Sequence, residues 1–238
     1  MASQLHLQTG DVVLDFGFGH GFMSFELACR TSGMVVGLDL LAGEQLRIAK
    51  GGAKIGGLAD RMNWAIGEGR GMPFRDETFD KVVCFLTLQD VYMTGGEVAL
   101  NRVLQEAFRI LKPNSFFAVA DNLFPECARE NNQRLYAQIQ LKEFGAGLPS
   151  EEVVLHRMKE CGFTGFETDR FNPRIVLNEK ESWVELKDIV DARPFGMRFD
   201  FEKLRERYQR EIAQSGLAYP EVFLVKCKKG ARIRIPLN

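Results

Sequence analysis

Short apolar runs alternate with segments of helical spacing over the first 120 residues of the chain. The apolar runs have the length of buried strands and cover residues 12–16, 34–39, 63–66, 79–85 and 115–121. Apolar residues recur at helical spacing in residues 21–30, 44–50 and 97–111. Strands that alternate with helices are typical of βαβ units, so this half of the chain predicts a parallel sheet covered by helices on both faces.

The second half is less regular but adds two more strand-like runs, at 166–171 and 221–226. The complete pattern predicts one α/β domain over residues 1–238, with a doubly wound, mostly parallel sheet of seven strands. Two mainly helical insertions, at about 122–148 and 172–220, have no place in that sheet. We expect them to form a lid over the carboxyl ends of the strands, because long connections are usually structured.

Composition narrows the function classes. The formal net charge of −1 gives no reason to expect nucleic acid as a partner. Five scattered cysteines without a C-x-x-C pair predict reduced thiols in a cytoplasmic protein, and three histidines without ligand spacing predict no metal site. The sequence contains no run of about 18 apolar residues, so it predicts no membrane span.

The strongest local motif is Asp15-Phe16-Gly17-Phe18-Gly19-His20-Gly21, between a predicted strand and a predicted helix. Glycines at alternate positions let the backbone turn sharply and approach a ligand closely. The N–H groups that begin the following helix favour a carboxylate or a phosphate. Dinucleotide-binding folds use a related loop, but their spacing is G-x-G-x-x-G.

A carboxylate, Asp39, ends the second predicted strand. A carboxylate at this position can accept hydrogen bonds from both hydroxyls of a ribose, as in nucleotide-binding α/β folds. The same side chain could instead cap the following helix.

Three further segments, Gly67-Glu68-Gly69, residues 72–80 (MPFRDETFD) and residues 109–113 (RILKP), follow in order. Together with the glycine motif, they resemble the class I S-adenosylmethionine (SAM) dependent methyltransferase family, especially its ubiquinone/menaquinone branch. The resemblance covers about residues 10–122. It implies a Rossmann-like methyltransferase fold, SAM as the cofactor and a small-molecule methyl acceptor.

The resemblance also implies roles for individual residues. Asp15 and the Gly17 backbone would hold the amino group of the methionine part of SAM, in a loop completed by Gly19 and Gly21. Asp39 would bind the ribose, and the residues expected around the adenine and the methionine chain are Leu40, Glu68, Gly69 and Leu86.

The sequence departs from the family pattern in two places, and only the second bears on the substrate site. Asn114 and Ser115 replace the usual two glycines, and asparagine tolerates a left-handed backbone. The first motif begins near residue 11, where relatives carry preceding helices that help close the substrate site. The late insertions or a partner subunit would have to do this here, so we expect a homodimer.

The sequence identifies no committed general base. Gln89, Asp90 and Tyr92 follow the fourth strand, and His20 lies in the glycine loop. Asp90 could instead cap a helix, and His20 could point outward. Asp121 and Asn122 resemble a polar edge of the acceptor pocket. Six aromatic residues could line that pocket or form the core of the lid, namely Phe124, Tyr136, Phe144, Trp183, Phe195 and Phe199.

Three alternative functions remain open from the sequence. A nicotinamide-dependent oxidoreductase shares the strand, the glycine loop and the distal acid, but predicts a different glycine spacing. A SAM-binding module without turnover is the second alternative, and a protein side-chain methyltransferase is the third. No Asn/Asp-Pro-Pro-aromatic tetrad occurs, which argues against methylation of adenine or glutamine amino groups.

Overall fold

The computed structural model describes residues 5–40, 43–123, 128–148, 150–192 and 199–230. Within those ranges the strands are β1 (Val13–Phe16), β2 (Val35–Asp39), β3 (Met62–Ile66), β4 (Phe79–Phe85), β5 (Leu111–Asp121), β6 (Phe163–Phe171), β7 (Val176–Leu177), β8 (Leu217–Ala218) and β9 (Val222–Lys229). The helices are α1 (Phe22–Arg30), α2 (Glu44–Ile55), α3 (Leu88–Ile110), α4 (Asn131–Ile139), α5 (Glu151–Glu160), α6 (Glu179–Ala192) and α7 (Phe201–Ser215).

Seven strands form one sheet in the order β3-β2-β1-β4-β5-β9-β6. The first five pair in parallel, and β9 runs antiparallel to both β5 and β6. This confirms the predicted α/β class with a mostly parallel seven-stranded sheet. The strand order reverses between β1 and β4, and ligands of open α/β sheets bind at such a switch point, beyond the carboxyl ends of the strands.

Helices on both faces bury the sheet, which explains why its strands read as continuous apolar runs rather than alternating ones. On one face, α3 packs Leu100, Val103 and Leu104 into the largest hydrophobic cluster. On the other face, Leu27 and Ala28 of α1 pack against β1, β2 and β4. The glycine loop therefore lies between two rigid layers.

Helix α3 begins earlier than the sequence predicts. The helical spacing indicated residues 97–111, whereas α3 starts at Leu88 and is interrupted at Gly96, where φ is 59° and ψ is −155°. That break separates a first helical piece, directly after β4, from the predicted second piece. The first piece lies at the carboxyl edge of the sheet and carries Asp90.

The predicted insertions contain α4, α6 and α7, which pack together around a second hydrophobic cluster separate from the sheet core. Tyr136 of α4 donates a hydrogen bond to Glu185 of α6 (3.2 Å), and Tyr208 of α7 donates to Glu143 (2.7 Å). The short β7–β8 sheet beside them was not predicted, because strands of two residues carry no periodicity. Whether this cluster moves as a lid stays a prediction.

Ser150 caps the start of helix α5, since its Oγ accepts a hydrogen bond from the Val153 N–H at 3.4 Å. Among the helices in the described ranges, none combines the length and apolarity needed to cross a bilayer.

Candidate functional site

A cavity of about 400 Å³ opens at the switch point of the sheet, between the glycine loop and the ends of β2, β3 and β4. We call it the first cavity. Nine of the thirteen site candidates from the sequence lie on its wall: Gly17, Gly19, His20, Asp39, Leu40, Glu68, Gly69, Leu86 and Asp90. The fold therefore brings together residues from four separate motifs.

The glycine loop adopts a backbone that other residues rarely take. Gly17, Gly19 and Gly21 have φ values of 77°, 48° and 87°. A Cβ at Gly17 would lie 2.1 Å from Thr87 Oγ1, whereas a Cβ at Gly19 would meet nothing within 4 Å. Gly17 thus permits close packing between two loops, and Gly19 leaves room for a ligand.

Asp39 fixes the loop from the neighbouring strand. Its Oδ2 accepts a hydrogen bond from the Gly19 N–H at 2.9 Å. The alternative of a helix cap is wrong, because Gly43 occupies the N-cap position of α2. The carboxylate instead lines the first cavity, where a ligand hydroxyl could reach it.

Asp15 lies beneath the loop rather than on the cavity wall. It is fully buried, and its Oδ2 accepts a short hydrogen bond from the Ser24 hydroxyl. Its Oδ1 has no hydrogen-bond partner among the described residues. Burial, and to a smaller extent the negative charge of Asp39, raises the pKa of Asp15 to about 7. A cationic group above the loop would stabilise the ionised form.

The far wall of the cavity carries the residues expected near an adenine. Glu68 forms an ion pair with Arg70, and both line the cavity. Gly69 packs against the Phe16 ring, so closely that a Cβ there would lie 2.4 Å from Phe16 Cζ. Leu40 stands at the mouth with 53% of its surface exposed.

Leu86, directly after β4, has a φ of 51°, which is unusual for a residue with a branched side chain. Its N–H donates to the Ala120 carbonyl of β5 at 2.8 Å and so holds the turn in place. Strained backbone that the surrounding structure holds in this way often occurs at ligand sites.

The four candidate bases separate into two groups. Asp90 and His20 line the first cavity. Tyr92 packs on the sheet core instead, and Gln89 does not line the cavity. Asp90 is the third residue of α3 and Thr87 holds the N-cap position, so the cap alternative is wrong for Asp90. Burial, followed by the charge of Asp39, raises the pKa of Asp90 to about 6.

A fifth carboxylate, Asp121, ends β5 close enough to Asp90 for their charges to interact. It is fully buried and accepts from the N–H groups of Asn122 (2.8 Å) and Gln89 (3.3 Å). Burial raises its pKa to about 7, and the nearby charge of Asp90 adds to the shift. In their ionised forms, these carboxyl groups at one sheet edge favour a cationic ligand.

No cluster of three or more His, Cys, Asp or Glu residues able to hold a metal ion occurs in the part of the chain that the structure describes.

A second cavity, of about 740 Å³, adjoins the first. Met23, Phe85 and Leu86 line both cavities and form the wall between them. Asn122 lines the second cavity, but most of its wall comes from the segments 169–175 and 219–224. Sequence reasoning placed these segments in the predicted strands 166–171 and 221–226 and at the ends of the insertion 172–220. It named none of their residues as part of the site, because they carry no motif.

The six predicted pocket aromatics do not line this cavity where they are described. Tyr136 and Phe144 are buried in the helical cluster, and Trp183 and Phe199 pack against it. The pocket interpretation is therefore wrong for these four, while the lid-core interpretation fits them. Phe124 and Phe195 lie outside the described residues.

Comparison with known proteins finds similarity to methyltransferases over part of the chain. Residues 14–119 match the model of the family described as "Methyltransferase domain". The Saccharomyces cerevisiae protein "Sterol 24-C-methyltransferase ERG6" is 32% identical over 166 residues, which cover 68% of this chain and 42% of that relative. The "Erythromycin 3''-O-methyltransferase" of Saccharopolyspora erythraea is 28% identical over 199 residues, covering 78% and 60%.

Solved structures share the fold over nearly the whole chain. A geranyl diphosphate methyltransferase in complex with SAM superposes with a TM-score of 0.62 at 15% identity, covering 96% of this chain and 82% of that one. The chain spans less than half the length of the yeast sterol enzyme that it matches.

Proposed function

We propose that this chain, which carries a class I SAM-dependent methyltransferase domain, transfers the methyl group of SAM to a small-molecule acceptor. The observation that carries the proposal is the convergence of the glycine loop, Asp39, Glu68 and Asp90 on one cavity at the switch point of the sheet. Each of these groups matches the chemistry of a different part of SAM.

The residues present fit SAM on three counts. The buried Asp15 carboxyl has an oxygen without a partner among the described residues, close to where an ammonium group would lie above the loop. Asp39 offers a carboxylate for ribose hydroxyls, and Glu68 offers one for the amino group of an adenine. A sulfonium or ammonium charge close to Asp15 or Asp90 would favour the ionised form of these carboxyls, whose pKa values are raised by burial.

When bound, SAM supplies an electrophilic methyl group on a positively charged sulfur. The acceptor atom forms the new bond to carbon as the carbon–sulfur bond breaks, and that electron pair stays on sulfur. The chain contributes alignment, which in well-oriented model reactions is worth roughly 7–11 kcal/mol. Gly17 and Asp39 orient one reactant, and the wall formed by Met23, Phe85 and Leu86 limits the approach of the other.

Asp90 is the best-placed general base of the four candidates. Its carboxylate lines the first cavity, and a pKa of about 6 leaves it mostly ionised at neutral pH. It can therefore accept a proton from an acceptor hydroxyl through Oδ, which for a positioned base contributes about 10²–10⁴-fold. Asp121 restrains the start of α3 through Gln89 and so helps to hold Asp90 in position.

The names of the relatives support a small-molecule acceptor, since one is a sterol methyltransferase and another acts on the macrolide erythromycin. Membership of the ubiquinone/menaquinone branch stays a prediction from the motifs, as does assembly into a homodimer. The G-x-G-x-G spacing and the acidic residue Glu68 after β3 favour SAM over a nicotinamide dinucleotide.

The test is transfer of a labelled methyl group from SAM to fractionated cell extract. We expect the wild-type protein to label a small molecule, an Asp39→Ala variant to lose that labelling, and Asp60→Ala to retain it. Asp60 is the matched control because it is an exposed carboxylate that lines neither cavity. If wild-type protein binds S-adenosylhomocysteine but labels nothing in any fraction, the domain is a binding module instead.

A further inference from the structure

We infer that the second cavity takes the methyl acceptor, and that this acceptor is an uncharged, largely apolar molecule of several rings or a comparable chain. The inference rests on the proposed function, because it needs SAM in the first cavity. It adds a location and a chemical class for the acceptor, argued from the wall between the two cavities, the lining of the second cavity and its charge balance.

The two cavities adjoin at the position that methyl transfer requires. Met23 and Phe85 separate them, together with the strained backbone of Leu86. A molecule in the second cavity therefore approaches the first only past these three side chains, which aligns its reacting atom. The volume of about 740 Å³ lies inside the range of about 300–1,000 Å³ typical of sites for drug-sized ligands.

The lining of the second cavity is mainly apolar. Strands β6 and β9 and the segments beside them contribute Phe171, Pro173, Ile175, Tyr219, Val222 and Leu224. Phe171 and Ile175 have 59% and 47% of their surfaces exposed. Covering such side chains with an apolar ligand is favourable by about 25 cal/mol for each Å² removed from water. Isolated exposed apolar residues are ordinary, but two on the wall of one cavity indicate a binding surface.

The charged residues of the lining balance one another. Glu26 and Asp169 carry negative charge, and Arg30 and Arg170 carry positive charge, so the formal sum is zero. Arg30 is paired with Glu26 at 2.5 Å, and Arg170 with Glu151 at 2.6 Å. An anionic acceptor would compete with these carboxylates for the guanidinium groups. An uncharged acceptor does not compete with these carboxylates, which is why we assign this class.

The test uses Nile red, an uncharged apolar dye whose fluorescence reports binding, with saturating S-adenosylhomocysteine present to occupy the first cavity. Ile175→Trp places an indole in the second cavity, whereas Val176→Trp places one on the neighbouring residue, which is exposed but does not line the cavity. Both positions are at the protein surface, so neither change is expected to unfold the chain. Affinity of both variants for S-adenosylhomocysteine serves as the control for the first cavity.

We expect saturable binding of Nile red that is weakened about tenfold or more by Ile175→Trp and is unchanged by Val176→Trp. The sulfonated dye 8-anilinonaphthalene-1-sulfonate should bind more weakly than Nile red. Equal Nile red binding in the two variants would overturn the location, and tighter binding of the sulfonated dye would overturn the uncharged class. Failure of the wild-type protein to bind S-adenosylhomocysteine would count against the proposed function instead.

Discussion

At the scale of single residues, the site is defined by carboxyl groups that are costly to ionise. Burial raises the pKa of Asp15 and of Asp121 to about 7, and that of Asp90 to about 6. Their ordinary value is 3.8, so the native state binds more protons than the unfolded state between about pH 4 and pH 7. The stability of the ligand-free protein therefore falls as the pH rises through this window.

A cationic ligand reverses this effect, because it lowers the pKa of each carboxyl that it approaches. We expect SAM binding to release protons, and its affinity to rise between pH 6 and pH 8 by up to about tenfold per pH unit for each proton released. Calorimetry in two buffers of different ionisation enthalpy measures the proton count. SAM should release more protons than S-adenosylhomocysteine, which lacks the sulfonium charge, and Asp90→Asn should lower the count. A binding enthalpy independent of the buffer would contradict the prediction.

Residue chemistry at the first cavity was largely readable from the sequence. The glycine spacing, the carboxylate inside β1 and the carboxylate that ends β2 are local features, and the positions that they occupy in an α/β sheet follow from topology. The positions of three candidate residues relative to the cavity could not be predicted from the sequence. Asp15 lies behind the loop because Ser24 holds it, and Gln89 and Tyr92 lie off the wall because the turn at Leu86 sets where α3 begins.

At the scale of elements, the motif segments 72–80 and 109–113 stabilise the fold through contacts with each other. Arg109 near the end of α3 donates to the carbonyls of Phe74 (2.7 Å) and Met72 (3.0 Å), and pairs with Glu106 and Asp76. Glu106 also accepts from the Met72 N–H at 2.8 Å. The segment from 72 to 76 is thus bound to α3, which fixes the connection from the Glu68 region into β4.

This arrangement predicts that Arg109→Ala destabilises the fold. The variant leaves Glu106, which is 6% exposed, without its charged partner and removes two hydrogen bonds to carbonyls. We expect the free energy of unfolding to fall by about 1–3 kcal/mol, measured by urea denaturation. The control is Arg47→Ala, whose pair with Glu44 is exposed on both sides, with an expected change within about 0.5 kcal/mol. Equal effects of the two substitutions would count against the structural role.

The ends of strands and helices matched the sequence prediction where the apolar pattern was long. They differed from it where backbone geometry determined where an element begins. The strand at 79–85 was predicted with its observed ends. The first piece of α3 was missed, because Gly95 and Gly96 interrupt the helical pattern and the break at Gly96 has a positive φ. Contacts between distant segments built the β7–β8 pair, and no local pattern encodes them.

At the scale of the whole molecule, the two cavities draw their walls from different parts of the fold. The first cavity belongs to the sheet and its loops, whereas the second draws its wall from β6, β9 and the segments that join the sheet to α6 and α7. This division explains why residues of the first cavity could be predicted from the sequence and those of the second could not. Local motifs mark the residues of the first cavity, whereas the wall of the second cavity depends on how segments distant in the sequence pack together.

Calorimetric titration of the purified chain with SAM, S-adenosylhomocysteine and NADH tests the central claim most directly. The account predicts that both sulfur compounds bind at one site per chain, that Asp39→Ala weakens them by about tenfold or more, or about 1.4 kcal/mol, and that NADH does not bind. Tight binding of NADH together with failure of both sulfur compounds to bind would contradict it.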